Sequence, residues 1–276
     1  MDYIEIYCRV SPPEPWSGIL IADLADIGFE SFLEESDGFR AYIPEADYNE
    51  NRVKALFQDH TGPDSVSYEK NLMGGRNWNA VWESNFSPVN ISGRILIRAP
   101  FHKSDPDIEH DIIIEPKMSF GTGHHETTVL VAEWLLETAI EGKKVLDMGC
   151  GTGILAILAA RMGASSVTAI DNYLYAWENT TENAERNGIS GMLVLHGDAG
   201  LLGDESYDLI IANINRNVLL EDMGAYNRVL EKGGIMFLSG FLSSDRDLIS
   251  EEAYRQGLAM AGSKQKGDWI SLKLSK

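Results

Sequence analysis

The sequence predicts an α/β protein built on a doubly wound, mostly parallel sheet, with a smaller α+β domain at the N-terminus. From residue 145 onward, strand-like apolar runs alternate with helical patterns, which requires parallel strands joined by crossover helices. The run 207–215 is apolar almost throughout, as expected of a strand that is buried on both faces. A length of 276 residues agrees with two domains.

The smaller domain is predicted over residues 1–75, with elements in the order βαββαβ. Residues 3–10 alternate with period two as a strand does, and a helix over 13–28 stops at a glycine. A hairpin within 32–43, a short helix over 51–60 and a strand over 66–72 follow. This order is typical of the ferredoxin-like fold. The residues expected on the inner face of the first helix are Trp16, Ile19, Leu20, Leu24 and Ile27.

Acidic residues dominate this first domain and the chain as a whole. Residues 1–75 contain fifteen acidic and five basic side chains, so more than half of the net charge of −19 lies in about a quarter of the length. Proteins that bind a nucleic-acid backbone normally carry a basic patch. We therefore expect no direct nucleic-acid binding and predict that residues 1–75 recognise a positively charged substrate. An acidic domain that is merely solvated, or acidity that only aids solubility, remains open.

The compartment is predicted from cysteine usage and from the lack of targeting signals. Cys8 and Cys150 are far apart and show no metal-ligand spacing, which fits a reducing compartment. The N-terminus is acidic and lacks the basic region of a secretory signal. The sequence contains no apolar stretch long enough for a transmembrane helix. We expect a cytoplasmic protein that acts as a monomer and does not contact a membrane.

A glycine-rich turn over residues 149–153, named here the glycine loop, is the centre of the predicted site. An apolar strand runs through Asp147 into Gly149, Gly151 and Gly153, and a helical apolar run follows. Glycines allow the backbone to approach a ligand, and the helix start offers free N–H donors. The dinucleotide fingerprint would require glycine at Ile154, and the lysine of a phosphate-binding loop is absent.

Two further carboxylates follow predicted strands. Asp171 lies 22 residues after Gly149, where an acid suits the two hydroxyls of a ribose. Asp198 ends the next strand, where it is predicted to accept a hydrogen bond from an adenine amino group, with a capping role equally open. The combination resembles the class I S-adenosylmethionine-dependent methyltransferases, whose cofactor has no pyrophosphate. A glycine turn without a ligand is the alternative reading.

Between the two domains, Gly74 and Gly75 indicate a flexible joint, and the pair Trp78 and Trp82 predicts a linker helix over 76–87. The larger domain then covers 88–276. Its segment 120–128 is predicted to form a lid or wall over the cofactor. We expect no metal there, because adjacent histidines diverge on a strand or a helix and the zinc-protease pattern is absent.

A sharper resemblance is carried by four motifs: Phe-Gly-Thr-Gly-His-His-Glu-Thr-Thr from residue 120, the stretch 147–156, Asn-Ala-Glu-Arg-Asn-Gly from residue 183, and Ala-Asn-Ile from residue 212. They resemble the motifs of the ribosomal protein L11 methyltransferase family. The resemblance implies a cytoplasmic enzyme that methylates the N-terminal amine and the lysine ε-amines of one basic large-subunit ribosomal protein. It also implies that Thr128, Gly149, Asp171 and Asn213 contact S-adenosylmethionine.

The chain departs from that family at 171–173, where Asp-Asn-Tyr stands in place of the usual Asp-x-Asp-Pro. With the lid segment and the acids included, the predicted cofactor-binding residues are Phe120, Gly121, Thr122, Thr128, Gly149, Gly151, Asp171, Asp198 and Asn213.

The predicted catalytic residue is Asn213, whose side chain, with the carbonyls around Ile214, would accept hydrogen bonds from the substrate amine and aim its lone pair. No general base is predicted. Glutamine and adenine methyltransferases place Asn/Asp-Pro-Pro-aromatic where this chain has Asn-Ile-Asn-Arg from residue 213, which argues against a planar acceptor. A non-catalytic adaptor that binds S-adenosylmethionine is the alternative from another class.

Overall fold

The computed structural model describes residues 3–13, 16–35, 37–59, 65–73, 87–115, 123 and 125–276. The chain divides into two compact units, Met1–Ser84 and Asn85–Lys276. The predicted joint at Gly74 and Gly75 and nearly all of the predicted linker helix lie outside the described residues. Among the described residues, no helix is both long enough and apolar enough to cross a bilayer.

The first unit is a four-stranded sheet with two helices. Its elements are β1 Tyr3–Ser11, α1 Trp16–Asp26, β2 Ser31–Glu35, β3 Gly38–Pro44, α2 Glu50–Asp59 and β4 Ser65–Met73. The strands lie in the order β2-β3-β1-β4, and all neighbours are antiparallel. The elements thus follow the predicted order βαββαβ, which is typical of the ferredoxin-like fold.

The core of this unit follows from the period-two alternation of its strands. Ile4, Ile6 and Cys8 of β1 face inward, where they meet Leu20 and Leu24 of α1. The inward assignment of Ile19 was wrong, because this side chain is 40% exposed. The other face of the sheet carries polar side chains that lie side by side in register: Glu5, Tyr7 and Arg9 of β1, Arg40 and Tyr42 of β3, and Glu69 and Asn71 of β4.

The second unit contains a small sheet and a large one. In chain order, its elements are β5 Val89–Ile91, β6 Ile95–Arg98, β7 His110–Ile113, α3 Glu126–Leu136, β8 Lys144–Met148, α4 Ile154–Arg161, β9 Ser166–Asp171, α5 Leu174–Arg186, β10 Leu193–His196, β11 Tyr207–Asn213, α6 Arg216–Val229, β12 Leu230–Leu242, α7 Arg246–Arg255, β13 Ala259–Lys266 and β14 Trp269–Ser275. Strands β5, β6 and β7 form the small sheet.

The large sheet has the strand order β10-β9-β8-β11-β12-β14-β13. The five neighbouring strands β10, β9, β8, β11 and β12 are parallel to one another, and β14 runs antiparallel to both of its neighbours, β12 and β13. Two apolar cores cover its faces. Val145 belongs to the core with α3 and α4, whereas the next residue, Leu146, belongs to the core with α6 and α7. The prediction of a doubly wound, mostly parallel sheet is confirmed.

Candidate functional site

The candidate site lies where the strand order of the large sheet reverses. From β8 the chain proceeds outward through β9 and β10, and it then returns to the other side of β8 to form β11 and β12. In open α/β sheets, ligands bind at the carboxyl ends of the strands beside such a switch point. A cleft of about 580 Å³ opens there, lined by residues that follow β8, β9, β10 and β11.

The glycine loop forms one wall of this cleft and requires its glycines. Gly149, Gly151 and Gly153 have φ values of 70°, 58° and 79°, in the left-handed region that favours glycine. A Cβ atom at Gly149 would lie 2.1 Å from Cγ2 of Ile214, and one at Gly153 would lie 2.8 Å from Cγ2 of Thr180. The loop is therefore pressed between two other segments, and no larger residue fits at either position.

Asp171, the predicted ribose acid, is hydrogen-bonded directly to the glycine loop. Its Oδ2 accepts from the Gly151 N–H at 2.9 Å, and its Oδ1 accepts from the Tyr173 N–H at 2.9 Å. An ionised carboxylate has about four acceptor positions, so two remain for the hydroxyls of a ribose. Tyr173 occupies the N-cap position of α5, where it makes no side-chain cap, and its ring is largely exposed at the cleft.

Asp147 is a second carboxylate of the cleft, and it is not among the site residues predicted from the sequence. It is the residue before the last of β8 and is almost completely buried, and its Oδ2 accepts from the Ala156 N–H at 3.1 Å. Burial, with a smaller contribution from the charge of Asp171, raises the pKa of Asp147 to about 7. The carboxyl ties the first turn of α4 to the end of β8.

The N-terminal end of α3 forms another wall of the cleft, to which His125, Thr127 and Thr128 contribute. The Nδ1 atom of His125 accepts from the Thr127 N–H and so caps α3, while the imidazole ring lies edge-on to Trp269 at 4.5 Å. Thr128 is buried and lines the cleft, and its contact with the cofactor stays a prediction. The predicted cofactor residues Phe120, Gly121 and Thr122 lie outside the described residues, as does His124.

Asp198 also lines the cleft, where it accepts from the Gly200 N–H at 2.8 Å and so caps a short turn. The capping alternative is therefore present in the structure, and the adenine contact stays a prediction. Asp222 and Tyr226 of α6 lie on the same cleft wall, and the tyrosine hydroxyl donates to Asp222 Oδ2 at 3.2 Å. Burial, then the charges of Glu221 and Asp198, raise the pKa of Asp222.

Asn213 lies at the end of β11 with its Oδ1 buried. This oxygen has no hydrogen-bond partner among the described residues. A buried acceptor without a partner carries a cost that a bound donor would remove. The following backbone is fixed, because the Ile214 N–H donates to the Ser239 carbonyl at 3.1 Å and Asn215 caps α6 by accepting from the Val218 N–H.

The groups in the cleft fit S-adenosylmethionine. The described lining contains four aspartates, Asp147, Asp171, Asp198 and Asp222, and neither lysine nor arginine. Burial raises the pKa of Asp147 and of Asp222 and so reduces their charge, but a lining of carboxyl groups without a basic side chain still favours a sulfonium cation over a pyrophosphate. Asp171 keeps acceptor positions for the ribose. Fold and cleft together define a class I S-adenosylmethionine-dependent methyltransferase.

Comparison with known proteins narrows this class to one family. The model of the ribosomal protein L11 methyltransferase family matches residues 24–276. The ribosomal protein L11 methyltransferase of Porphyromonas gingivalis is 47% identical over 260 residues, covering 93% of this chain and 90% of that protein. The protein of the same name from Bacteroides fragilis is 42% identical over 277 residues, covering 99% of each. This chain belongs to the ribosomal protein L11 methyltransferase family.

A solved structure agrees with this assignment. The crystal structure of ribosomal protein L11 methylase from Lactobacillus delbrueckii subsp. bulgaricus has a TM-score of 0.65 and 27% identity, covering 69% of this chain and 99% of that chain. Membership of this family disfavours a nucleic-acid base as acceptor and a non-catalytic adaptor.

Proposed function

We propose that this protein transfers methyl groups from S-adenosylmethionine to the N-terminal amine and the lysine ε-amines of ribosomal protein L11. The observation that carries the proposal is the unpartnered Oδ1 of Asn213 in a cleft lined by carboxylates. Such a site attracts a cationic amine and offers an acceptor for its N–H. The choice of L11 as the protein substrate follows from the relatives, which are named ribosomal protein L11 methyltransferases.

Bound S-adenosylmethionine supplies an electrophilic methyl group on a sulfonium. The residues of the chain hold this cofactor and aim the acceptor. We propose that Asp171 holds the ribose of S-adenosylmethionine and that Asp198 accepts a hydrogen bond from its adenine amino group. The glycine loop and Thr128 would contact the rest of the cofactor. Correct alignment of reacting groups contributes roughly 7–11 kcal/mol in favourable cases.

Asn213 is proposed to position the amine. A lysine ammonium, with a pKa of about 10.4 in water, loses a proton to solvent before its lone pair attacks. Partial desolvation in the cleft favours this loss. The Asn213 Oδ1 and the Ile214 carbonyl then accept the remaining N–H groups, which leaves the lone pair directed at the methyl group. The C–N bond forms as the C–S bond breaks.

We propose that residues 1–75 recognise the basic substrate and that residues 88–276 bind S-adenosylmethionine and catalyse methyl transfer. Residues 76–87 would link these two domains. The open face of the first sheet supports this role. Its two arginines are already neutralised, because Arg9 Nη1 lies 2.6 Å from Glu69 Oε1 and Arg40 Nε lies 2.6 Å from Glu35 Oε1. Arg40 also pairs with the buried Glu5 at 3.1 Å. The surplus carboxylates of this unit are thus available to a cationic partner.

The substrate class agrees with action in the cytoplasm, and we propose that the protein works there as a monomer without contacting nucleic acid directly. The net charge of −19 supports the last point, because phosphate contacts require basic side chains.

The test uses purified L11, S-adenosylmethionine and intact-mass spectrometry followed by peptide mapping. We expect mass gains of whole methyl groups that map to the N-terminus and to lysines. L11 whose amines have been acetylated is the matched control and should gain none. Methylation of the acetylated protein would contradict an amine acceptor, and cofactor binding without any transfer would favour the adaptor.

A further inference from the structure

Helix α5 carries a row of buried polar residues that the proposed function does not use. Asn179, Thr180, Asn183 and Asn187 are each at most 7% exposed, although polar side chains on a helix normally face solvent. The last two belong to the Asn-Ala-Glu-Arg-Asn-Gly motif. Buried amides persist where their hydrogen bonds are made, so the partners of this row indicate its task.

The row hydrogen-bonds the two central carbonyls of the glycine loop. Thr180 Oγ1 donates to the Gly151 carbonyl at 2.9 Å, and Asn183 Nδ2 donates to the Thr152 carbonyl at 2.9 Å. The N–H of Gly151 is held from the other side by Asp171. Because each peptide unit is planar, fixing its carbonyl also fixes the N–H of the following residue. Helix α5 thereby sets the orientation of the loop peptides.

The same row also extends the pairing of β7. Asn183 Oδ1 accepts from the Glu115 N–H at 2.9 Å. One turn later, Asn187 Oδ1 accepts from the Ile113 N–H at 2.9 Å, and its Nδ2 donates to the Ile113 carbonyl. Two positions four apart on a helix rise about 6 Å, and two positions two apart on a strand rise about 6.6 Å. The asparagines therefore match alternate residues of the strand.

Asn183 is the point at which these two sets of contacts meet. It is fully buried, and its single amide group bonds both the glycine loop and the chain just beyond β7. Asn187 bonds the strand, and its described hydrogen bonds include none to the glycine loop. We infer that Asn183 is a positioning residue for the cofactor, which holds the glycine loop in its binding conformation through the Thr152 carbonyl.

The test separates this role from simple stabilisation by using the same substitution at both asparagines. Asn183→Asp keeps an oxygen for the Glu115 N–H but replaces the donor to the Thr152 carbonyl with a second acceptor. Asn187→Asp makes the same change one turn away, where the lost donor serves the Ile113 and Asn183 carbonyls and not a carbonyl of the glycine loop. The affinity of the full-length proteins for S-adenosylmethionine and for S-adenosylhomocysteine is measured by titration calorimetry, and the melting temperature is measured in parallel.

We expect Asn183→Asp to weaken the binding of both compounds about ten-fold, because a buried acceptor loses its donor. Asn187→Asp should lower the melting temperature without changing either affinity. Thr180→Val removes the other contact with the loop and should also weaken binding, which keeps the test decisive if Asn183→Asp fails to fold. Unchanged affinity in Asn183→Asp and Thr180→Val, or an equal loss in Asn187→Asp, would overturn the inference.

The inference rests on the cofactor of the proposed function and not on its substrate. Since no protein acceptor is present in the titration, a failure of L11 to become methylated would leave this result unaffected.

Discussion

The backbone of Ile214 lies directly against the Cα atom of Gly240. A Cβ atom at position 240 would be 2.3 Å from the Ile214 carbonyl oxygen and 2.8 Å from its nitrogen. Gly240 has a φ of 93°, and the register between β12 and β14 shifts beside it. The Ile214 side chain meets Gly149 in the same way. The segment that presents the proposed amine acceptors is therefore held between two glycines.

Replacement of Gly240 by alanine is expected to displace the Ile214 carbonyl. We predict a loss of stability of about 1–3 kcal/mol from overpacking and a fall in turnover of about a hundred-fold from the misplaced acceptor. Denaturant unfolding and steady-state kinetics measure the two effects. Gly233→Ala is the matched control, because Gly233 also has a positive φ, 78°, but a Cβ atom at this position would meet no other atom within 4 Å. Normal turnover in Gly240→Ala would show that the close contact between Gly240 and Ile214 is not required for activity.

Asn213→Ala is expected to reduce turnover far more than stability. The amide is proposed to align the amine, and misalignment of reacting groups costs about a hundred-fold in rate. The control is Asn227→Ala, which removes another asparagine with a buried, unpartnered Oδ1 that is not among the residues lining the cleft. The control should lose stability and keep its turnover. A fully active Asn213→Ala enzyme would exclude the positioning role.

Asp171→Asn is expected to weaken S-adenosylmethionine binding about ten-fold or more, because an NH₂ group replaces an acceptor that faces backbone N–H donors. Titration calorimetry measures the change. Asp208→Asn is the control, since Asp208 also accepts from a backbone N–H, that of Lys144, at 2.9 Å, but does not line the cleft. Equal affinity of Asp171→Asn and the wild type would remove Asp171 from the ribose site.

The buried Asp147 gives stability a defined pH dependence. Its pKa is raised to about 7 in the folded protein from an ordinary value near 3.8, so between these values unfolding releases its proton. Stability from this group is complete below the lower value and is lost as the pH rises toward the higher one. The slope is at most about 1.4 kcal/mol per pH unit.

Asp147→Asn keeps an acceptor for the Ala156 N–H and removes the titration. The free energy of unfolding of this variant, relative to that of the wild type, should therefore increase by about 1–3 kcal/mol when the pH is raised from 5 to 7. Urea unfolding of both proteins at the two pH values measures the difference. A constant difference would show that Asp147 titrates normally.

The sequence predicts most of the fold because its patterns are local. The alternation in β1, the glycine loop and the acid at the end of β9 each depend on neighbouring residues. Helix α6 and strand β13 were not predicted. The apolar stripe of α6 is interrupted by Gly224 and asparagines, and β13 is a largely exposed edge strand paired only with β14, so burial imposes no apolar pattern on it.

The unpredicted parts of the site depend on contacts between distant segments. Asp222 and Tyr226 reach the cleft only because α6 lies beside the turn that Asp198 caps. The fit of Ile214 against Gly240 and the contacts of Asn183 join segments that no local pattern relates. The sequence gives the identity of each such residue but does not indicate which distant residue it contacts.

The most direct measurement of the central claim is methyl transfer to a mixture of purified basic ribosomal proteins that includes L11. Labelled S-adenosylmethionine is added to the full-length enzyme, and the products are separated and identified by mass spectrometry. We predict that the label appears in L11 alone, on its N-terminal amine and lysines. Label on another protein, with L11 unmodified, would contradict the proposed substrate.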